Sequence, residues 1–289
     1  MNFILAKILI KSPMNIPLPT SLNITEAKGN KATVNIEPCY PGYGVTIGNA
    51  LRRVLLSSLD GAAITAFKLK DAQHEFTTLP NVKEDVVDLM LNLKKVRLKV
   101  FSDEPVILNI NAKGQKVVTA GDIEKNAQVE IVNPEQEILT LTDKSAVLEM
   151  ELTAQTGMGY VTVEDRKEEK HDIGTIMIDA FYTPVINVGF DVENVRVGKQ
   201  TNYEKIVLKI ETDGTVTPEE VIAKSSNILL KHFMFILEAA DPQMAKNLEA
   251  EVESVEEASE SAEAEEEKLQ AEEVEDKPKK KRGRPKKTE

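Results

Sequence analysis

The sequence predicts an α+β protein in which a β-rich middle region is followed by a charged tail. Helical spacing of apolar residues begins at Ile47, alternation with a period of two dominates residues 101–170, and apolar residues become scarce after residue 241. The 289 residues allow about two domains at roughly 150 residues each. Hydrophobic residues make up 41% of the chain and aromatic residues 4%, so we expect a mainly aliphatic core.

Several segments alternate apolar with polar or small residues, as half-buried strands do. Their apolar positions are Ala32, Val34 and Ile36; Leu98 and Val100; Val106, Leu108 and Ile110; Leu148, Met150 and Leu152; and Ile206, Leu208 and Ile210. Residues 63–69 predict a further strand. Glycine, Asn-Pro and Asp residues interrupt the middle region, which therefore predicts strands joined by turns.

The stretch YPGYGVTIGNALRRVLLSSL, residues 40–59, predicts a glycine-containing turn followed at once by a helix. Thr46 is the expected N-cap of this helix, because its hydroxyl can accept an unpaired backbone N–H. One face carries Ile47, Ala50, Leu51, Val54, Leu55 and Ser58 at helical spacing. The opposite face carries Asn49, Arg52, Arg53 and Leu56.

The arginine-bearing face of this helix has two interpretations. It could be a solvated surface with one exposed leucine, which needs no special explanation. It could also be a protein–protein contact, because arginine is enriched at such surfaces. The spacing alone leaves both interpretations open.

Two further helices are predicted. Residues 84–94 show helical spacing with acidic residues in the first turn, where the helix dipole favours them. Near the end of the apolar sequence, Thr217 should cap a helix that begins at Pro218. This last helix has two apolar stripes and so must be buried on two sides. The stripes are Val221, Ile222, Ile228, Leu229, Phe233 and Ile236, and separately Leu230, Met234 and Leu237.

Residue patterns for catalysis, metal binding or nucleotide binding are missing from the sequence. The histidines, His74, His171 and His232, are not at metal-ligand spacing, and the lone Cys39 points to a reducing compartment. The glycines at 42, 44 and 48 miss the dinucleotide-binding spacing by one residue, and no P-loop lysine is present. We therefore expect no active site, no metal and no cofactor. The N-terminal apolar run is short and contains a lysine, so no membrane span is expected.

The segment GYGVTIGNALRRVLLSSLDGAAITAFKL resembles the signature of the alpha subunit of bacterial DNA-dependent RNA polymerase. Residues 74–100 and 173–220 resemble further parts of that family, so the resemblance covers roughly residues 20–240. It implies a discontinuous dimerisation subdomain, residues 1–60 and 185–242, around an inserted β-rich subdomain, residues 61–184. It also implies a non-catalytic homodimer that scaffolds the beta and beta-prime subunits, with omega and sigma in the same cytoplasmic, nucleoid-associated complex.

The resemblance assigns expected roles to individual residues. Contacts with the large polymerase subunits are expected at Asn49, Arg52, Arg53, Leu56, Lys94 and Asp179. Among these, Arg53 is the principal expected contact with the beta subunit. For Lys94 the alternative is a solvated lysine that favours a helix C-terminus. Dimer contacts are expected at Leu51, Leu55, Ile228, Leu229, Phe233 and Ile236.

The C-terminal tail, residues 243–289, departs from the family. Residues 249–276 hold 14 acidic residues and one lysine, a composition that predicts disorder. Family members usually continue into a compact DNA-binding domain, for which too few apolar residues remain here. Instead KRGRPKK resembles an AT-hook, in which Arg282, Gly283, Arg284 and Pro285 would lie in the minor groove of A·T-rich DNA. The alternative is a tail whose acidic and basic runs attract each other.

Two other functions compete with the polymerase-subunit interpretation. A stand-alone architectural protein would bind A·T-rich DNA through the tail without any polymerase. A nucleotide-binding enzyme that used the glycines of residues 42–48 would be stabilised against heat by its nucleotide. The resemblance favours the polymerase subunit over both.

Overall fold

A computed structural model describes residues 16–70, 72, 74–166, 172, 174–246 and 248 of the chain. The described residues up to 230 belong to one compact unit, and those from 231 onward belong to a second. Within the described part of the chain, no helix is both long and apolar enough to cross a membrane. The predictions for the N-terminal apolar run, for His171 and for the charged tail beyond residue 248 lie outside the described residues.

The described chain is a mixture of helices and mostly antiparallel strands, which confirms the α+β class. In chain order the elements are β1 (Ser21–Lys28), β2 (Lys31–Cys39), α1 (Tyr43–Ser57), β3 (Asp60–Leu69), α2 (Val86–Leu93), β4 (Leu98–Val100), β5 (Val106–Lys113), β6 (Lys116–Thr119), β7 (Val129–Ile131), β8 (Glu137–Leu141), β9 (Val147–Met158), β10 (Tyr160–Val161), β11 (Thr175–Met177), β12 (Ala180–Phe181), β13 (Val185–Val197), β14 (Gln200–Thr212) and α3 (Pro218–Ala240).

The first sheet has the order β1-β2-β14-β13, and its neighbouring strands are antiparallel. Val34 on β2 pairs with Leu208 on β14, and both side chains are fully buried. Helix α1 packs on β13 and β14. One apolar core joins this sheet to α1 and to the first turns of α3; its members are Val34, Ile36, Cys39, Leu51, Leu55, Leu59, Val185, Val188, Ile206, Leu208, Ile210, Val221 and Ile222.

The second sheet has the order β11-β3-β9-β5 and encloses a separate apolar core. Along β5, buried and exposed residues alternate strictly, as the period of two predicts. Helix α2 contributes Val86, Leu89 and Leu93 to this core. Three two-stranded ladders complete the region, namely β4 with β7, β6 with β8 and β10 with β12.

The first residues of α2 and α3 show how local sequence determines where a helix begins. Helix α2 begins after Asp85, whose carboxylate accepts the N–H of Asp88 at 2.7 Å. Glu84, predicted to lie inside this helix, instead accepts hydrogen bonds from the backbone and hydroxyl of Thr140, next to α2 on β8. Helix α3 begins as predicted, because Thr217 and Glu220 accept each other's backbone N–H in a capping box.

Candidate functional site

The start of α1 is held by a residue far away in the sequence. Gly42 lies in the left-handed region at φ 87°, and the helix begins at Tyr43. The carboxylate of Glu204, on β14, accepts the N–H of Gly42 at 2.9 Å and that of Gly44 at 2.8 Å. The prediction that Thr46 caps this helix is wrong, because the helix starts earlier and the Thr46 hydroxyl donates to the Gly42 carbonyl.

The glycines of α1 allow close packing against the sheet. A Cβ atom at Gly44 would lie 2.6 Å from Oε2 of Glu204, and one at Gly48 would lie 2.7 Å from the ring of Phe190. The two N–H groups that could form an anion cradle, those of Gly42 and Gly44, already donate to Glu204. The glycine spacing is therefore explained by helix–sheet packing, and nothing in this geometry favours nucleotide binding.

The outer face of α1 differs from its prediction in detail. Asn49, Arg52 and Arg53 are exposed, whereas Leu56 is half-buried and packs against the first core. Arg52 turns towards the edge strand β13 and donates from Nε to the carbonyl of Val188 at 3.0 Å. Among the described residues, the guanidinium of Arg53 has neither a hydrogen bond nor an ion pair. Arg53 therefore has the guanidinium that is available to a binding partner.

The residues predicted at a dimer interface lie in three kinds of surroundings. Leu51 and Leu55 are 6% and 0% exposed, so they belong to the core of the single chain and have almost no surface left for a partner. Ile228 and Leu229 are half-buried against the same core. Further along α3, Phe233 and Ile236 are 62% and 61% exposed. The dimer prediction therefore rests on α3 and no longer on α1.

Lys94 and Asp179, predicted separately as contact residues, lie together in the structure. Nζ of Lys94, at the C-terminal end of α2, donates to Oδ2 of Asp179 at 3.1 Å. Oδ1 of Asp179 accepts the N–H of Val163 at 3.0 Å. The Val163 N–H, followed by Lys94 and Tyr160, lowers the pKa of Asp179 despite its partial burial. The carboxylate therefore stays ionised and keeps the Lys94 ammonium in place.

Two exposed aromatic rings adjoin this ion pair. Tyr160 hydrogen-bonds to Asp179, which raises the pKa of the tyrosine hydroxyl. The ring centroids of Tyr160 and Phe181 are 6.3 Å apart, and these residues pair across the β10–β12 ladder. Sequence reasoning missed both residues, because strands of two residues each have too few positions to show periodicity.

Cys39 and His74, whose side chains could in principle react or bind a metal, both lie in surroundings typical of structural residues. Cys39 is buried in the first core, and burial, with a smaller contribution from Glu204, raises the pKa of its thiol. His74 lies within 3.1 Å of the Thr77 hydroxyl in an exposed turn. In the described part of the chain, no three His, Cys, Asp or Glu residues are grouped as metal ligands would be.

Comparison with known proteins gives the family. Residues 63–183 match the family described as the RNA polymerase Rpb3/RpoA insert domain. A protein of Moorella thermoacetica is 46% identical over 70% of this chain and 64% of its own length. One of Desulfitobacterium hafniense is 44% identical over 77% of this chain and 70% of its own.

A protein of Lawsonia intracellularis is 50% identical over 67% of this chain and 55% of its own length. All three are named DNA-directed RNA polymerase subunit alpha, and this chain covers between 55% and 70% of their lengths. The matches confirm the resemblance noted in the sequence. The chain belongs to the alpha-subunit family of DNA-directed RNA polymerase.

Proposed function

We propose that this chain is a non-catalytic polymerase subunit that pairs with a second copy of itself and binds the beta and beta-prime subunits during assembly. The observation that carries the proposal is the outer face of α1. Its helix is fixed to the first sheet, while the Arg53 guanidinium is exposed and has no partner among the described residues. An arginine presented in this way can form paired hydrogen bonds with a carboxylate, which lysine cannot.

The two separate cores support a division of the chain into two subdomains with different roles. Residues of the first core come from 34–59 and 185–222, and those of the second from 64–178. We infer that the discontinuous part, residues 1–60 and 185–242, forms the dimerisation subdomain. Residues 61–184 are the inserted subdomain in this proposal, in keeping with the family match over residues 63–183.

Catalysis of RNA synthesis is assigned to other subunits in this proposal. Polymerase chemistry uses clustered carboxylates to hold two metal ions. Cys39 is buried in the first core and His74 lies in an exposed turn, so neither is placed to take part in such a metal site. We place the subunit in the bacterial cytoplasm, at the nucleoid, as part of the assembled polymerase. A lone buried cysteine suits that reducing compartment.

The test is the binding of tagged full-length chain to the beta subunit of the same organism. We expect Arg53→Ala to leave the homodimer intact and to weaken beta binding about tenfold or more, since hydrogen bonds between charged groups contribute roughly 1.5–3 kcal/mol. The matched control is Arg196→Ala, which removes an exposed arginine from β13. Binding of Arg53→Ala at wild-type strength would refute the contact assignment.

A second function is favoured by the basic run KPKKKRGRPKK, residues 277–287, which lies outside the described residues. We propose that Arg282 and Arg284 bind the minor groove of A·T-rich DNA, where a narrow groove attracts arginine. Replacing both by alanine should reduce affinity for an A·T-rich duplex more than replacing Lys279 and Lys280, although the charge removed is equal. Equal losses for the two variants would instead indicate unspecific attraction to phosphate.

A further inference from the structure

We propose that Glu204 is a positioning residue for the arginine-bearing face of α1. The inference rests on the proposed function, because the orientation of this face matters only if the face binds another subunit. Glu204 lies on β14, and 160 residues separate it from Gly44. It acts through α1 and makes no contact with the partner in this proposal.

Helix α1 depends on Glu204 because its own sequence offers no cap. The N-cap residue is Gly42, which has no side chain, and the first turn contains no acidic residue. The carboxylate of Glu204 supplies both functions, since its two oxygens each accept one N–H and its charge faces the positive end of the helix. Gly44 is needed for this approach, because a side chain there would displace the carboxylate.

Neighbouring aromatic rings fix the same corner of the structure. Tyr203, next to Glu204 on β14, meets the ring of Tyr40 edge-on with centroids 6.2 Å apart. The ring of Tyr40 meets that of Tyr43, the first residue of α1, in the same way at 6.0 Å. The start of the helix is therefore attached to β14 by two hydrogen bonds and a row of three rings.

The hydrogen bonds do what the apolar packing of α1 cannot do alone. Apolar burial is non-directional, so the burial of Leu51 and Leu55 does not by itself select one orientation of the helix. Hydrogen bonds are directional, and Glu204 fixes the start of α1 on β14 while Arg52 fixes its middle on β13. Two attachments to different strands define one orientation of the helix, and this orientation directs Arg53 outward.

The experiment measures beta-subunit binding by full-length variants. We expect Glu204→Ala to weaken binding about three- to tenfold, the range that loss of a helix cap gives. Glu204→Gln should lie between Glu204→Ala and wild type, because its amide oxygen still accepts one of the two N–H groups. The matched control is Glu211→Gln on the same strand, where the carboxylate pairs with Lys31 at 3.0 Å and lies away from α1.

Combining variants separates positioning from general stability. In an Arg53→Ala background, Glu204→Ala should cause a smaller loss of beta binding than it does in the wild type, because the main group that it positions has been removed. Hydrogen exchange of the Gly42 and Gly44 amides should quicken in Glu204→Ala and stay slow in Glu211→Gln. These two readouts together support the inference only if both behave in this way.

Three results would overturn the positioning role of Glu204, and each can be distinguished from the others. Faster exchange of the two amides with undiminished beta binding would overturn the positioning role and leave the Arg53 contact standing. A loss of binding that is additive with Arg53→Ala would overturn it as well, since general destabilisation would then explain the effect. Wild-type binding by Arg53→Ala would overturn the proposed contact and this inference together.

Discussion

Helices α1 and α3 both carry apolar residues at helical spacing but bury them differently. In α1 the buried face, Gly44, Gly48, Leu51 and Leu55, is covered by the sheet of the same chain. In α3 the buried residues are confined to the first turns, at Val221, Ile222 and Ser225. The second half of α3 exposes large side chains, with Phe233, Phe235 and Ile236 between 61% and 72% exposed.

The difference teaches that periodicity shows which face of a helix avoids water but not what covers that face. The apolar face of α1 is already covered within the chain, and the exposed opposite face carries Asn49, Arg52 and Arg53. Adjacent large apolar residues left exposed, as on α3, are typical of a protein interaction site. A second copy of the chain is the proposed cover for α3.

The largest effect is expected where this comparison is sharpest, on the exposed half of α3. The double substitution Phe233→Asp and Ile236→Asp should convert the proposed homodimer to monomer. Each buried side chain of this size contributes about 1.5–3 kcal/mol, so the dimer dissociation constant should rise on the order of 100-fold or more. Sedimentation equilibrium of the full-length chain measures the change.

The control for this substitution is an equally exposed aromatic residue elsewhere. Phe76 is 79% exposed in a turn between β3 and α2, and Phe76→Asp should leave the dimer intact. A dimer of unchanged affinity in the double variant would mean that α3 is covered in some other way. The contrast between the two helices would then lose its explanation.

Replacing one leucine by alanine in each helix compares the buried face of α1 with the exposed surface of α3. Leu55 is 0% exposed and Leu230 is 46% exposed. Leu55→Ala should lower the free energy of unfolding by about 2–5 kcal/mol, because it leaves a cavity in the first core. Leu230→Ala should cost less than about 1 kcal/mol when both are measured in the monomeric double variant.

Urea denaturation followed by circular dichroism gives both free energies of unfolding. The monomeric background removes the concentration dependence that dimerisation would add. Similar costs for the two substitutions would contradict the burial difference between α1 and α3. A small cost for Leu55→Ala alone would show that the core around α1 collapses into the space.

The parts of the fold that sequence could predict are those with long local patterns. Strands β2, β5 and β14 follow from period-two alternation, and the start of α3 follows from Thr217 and Glu220. The start of α1 could not be predicted, because its cap comes from Glu204, 160 residues beyond Gly44. Local sequence carries no signal for a hydrogen bond that forms only once the sheet is assembled.

The candidate site, like the fold, could be predicted only in part from the sequence. The resemblance singled out Arg53, and the structure adds that neighbouring Arg52 is already engaged with Val188. Lys94 and Asp179 were also predicted one by one, but their ion pair spans 85 residues and depends on how α2 meets the strands around Asp179. Which residues are near each other is a property of the tertiary fold, and a single sequence does not contain it in readable form.

The smallest expected effect concerns Asp179, which links Lys94 at the end of α2 to Tyr160 in the β10–β12 ladder. Asp179→Asn should lower the free energy of unfolding at pH 7 by about 0.2–1 kcal/mol, because the ion pair with Lys94 is one-third exposed. Lys70→Gln is the control, since its ion pair with Glu149 is far more exposed and should contribute less.

The lowered pKa of Asp179 determines how the effect of Asp179→Asn on the free energy of unfolding changes with pH. The pKa of Asp179 is lower in the folded chain than the value of about 3.9 expected when unfolded. Its stabilisation is therefore fully present above that unfolded value and is lost as the pH falls through the folded pKa. The difference between wild type and Asp179→Asn in urea denaturation should be constant from pH 7 to about pH 5 and shrink below pH 4. A difference that grows on acidification would contradict the ionised pair, and it would mean that the Lys94–Asp179 contact does not stabilise this surface.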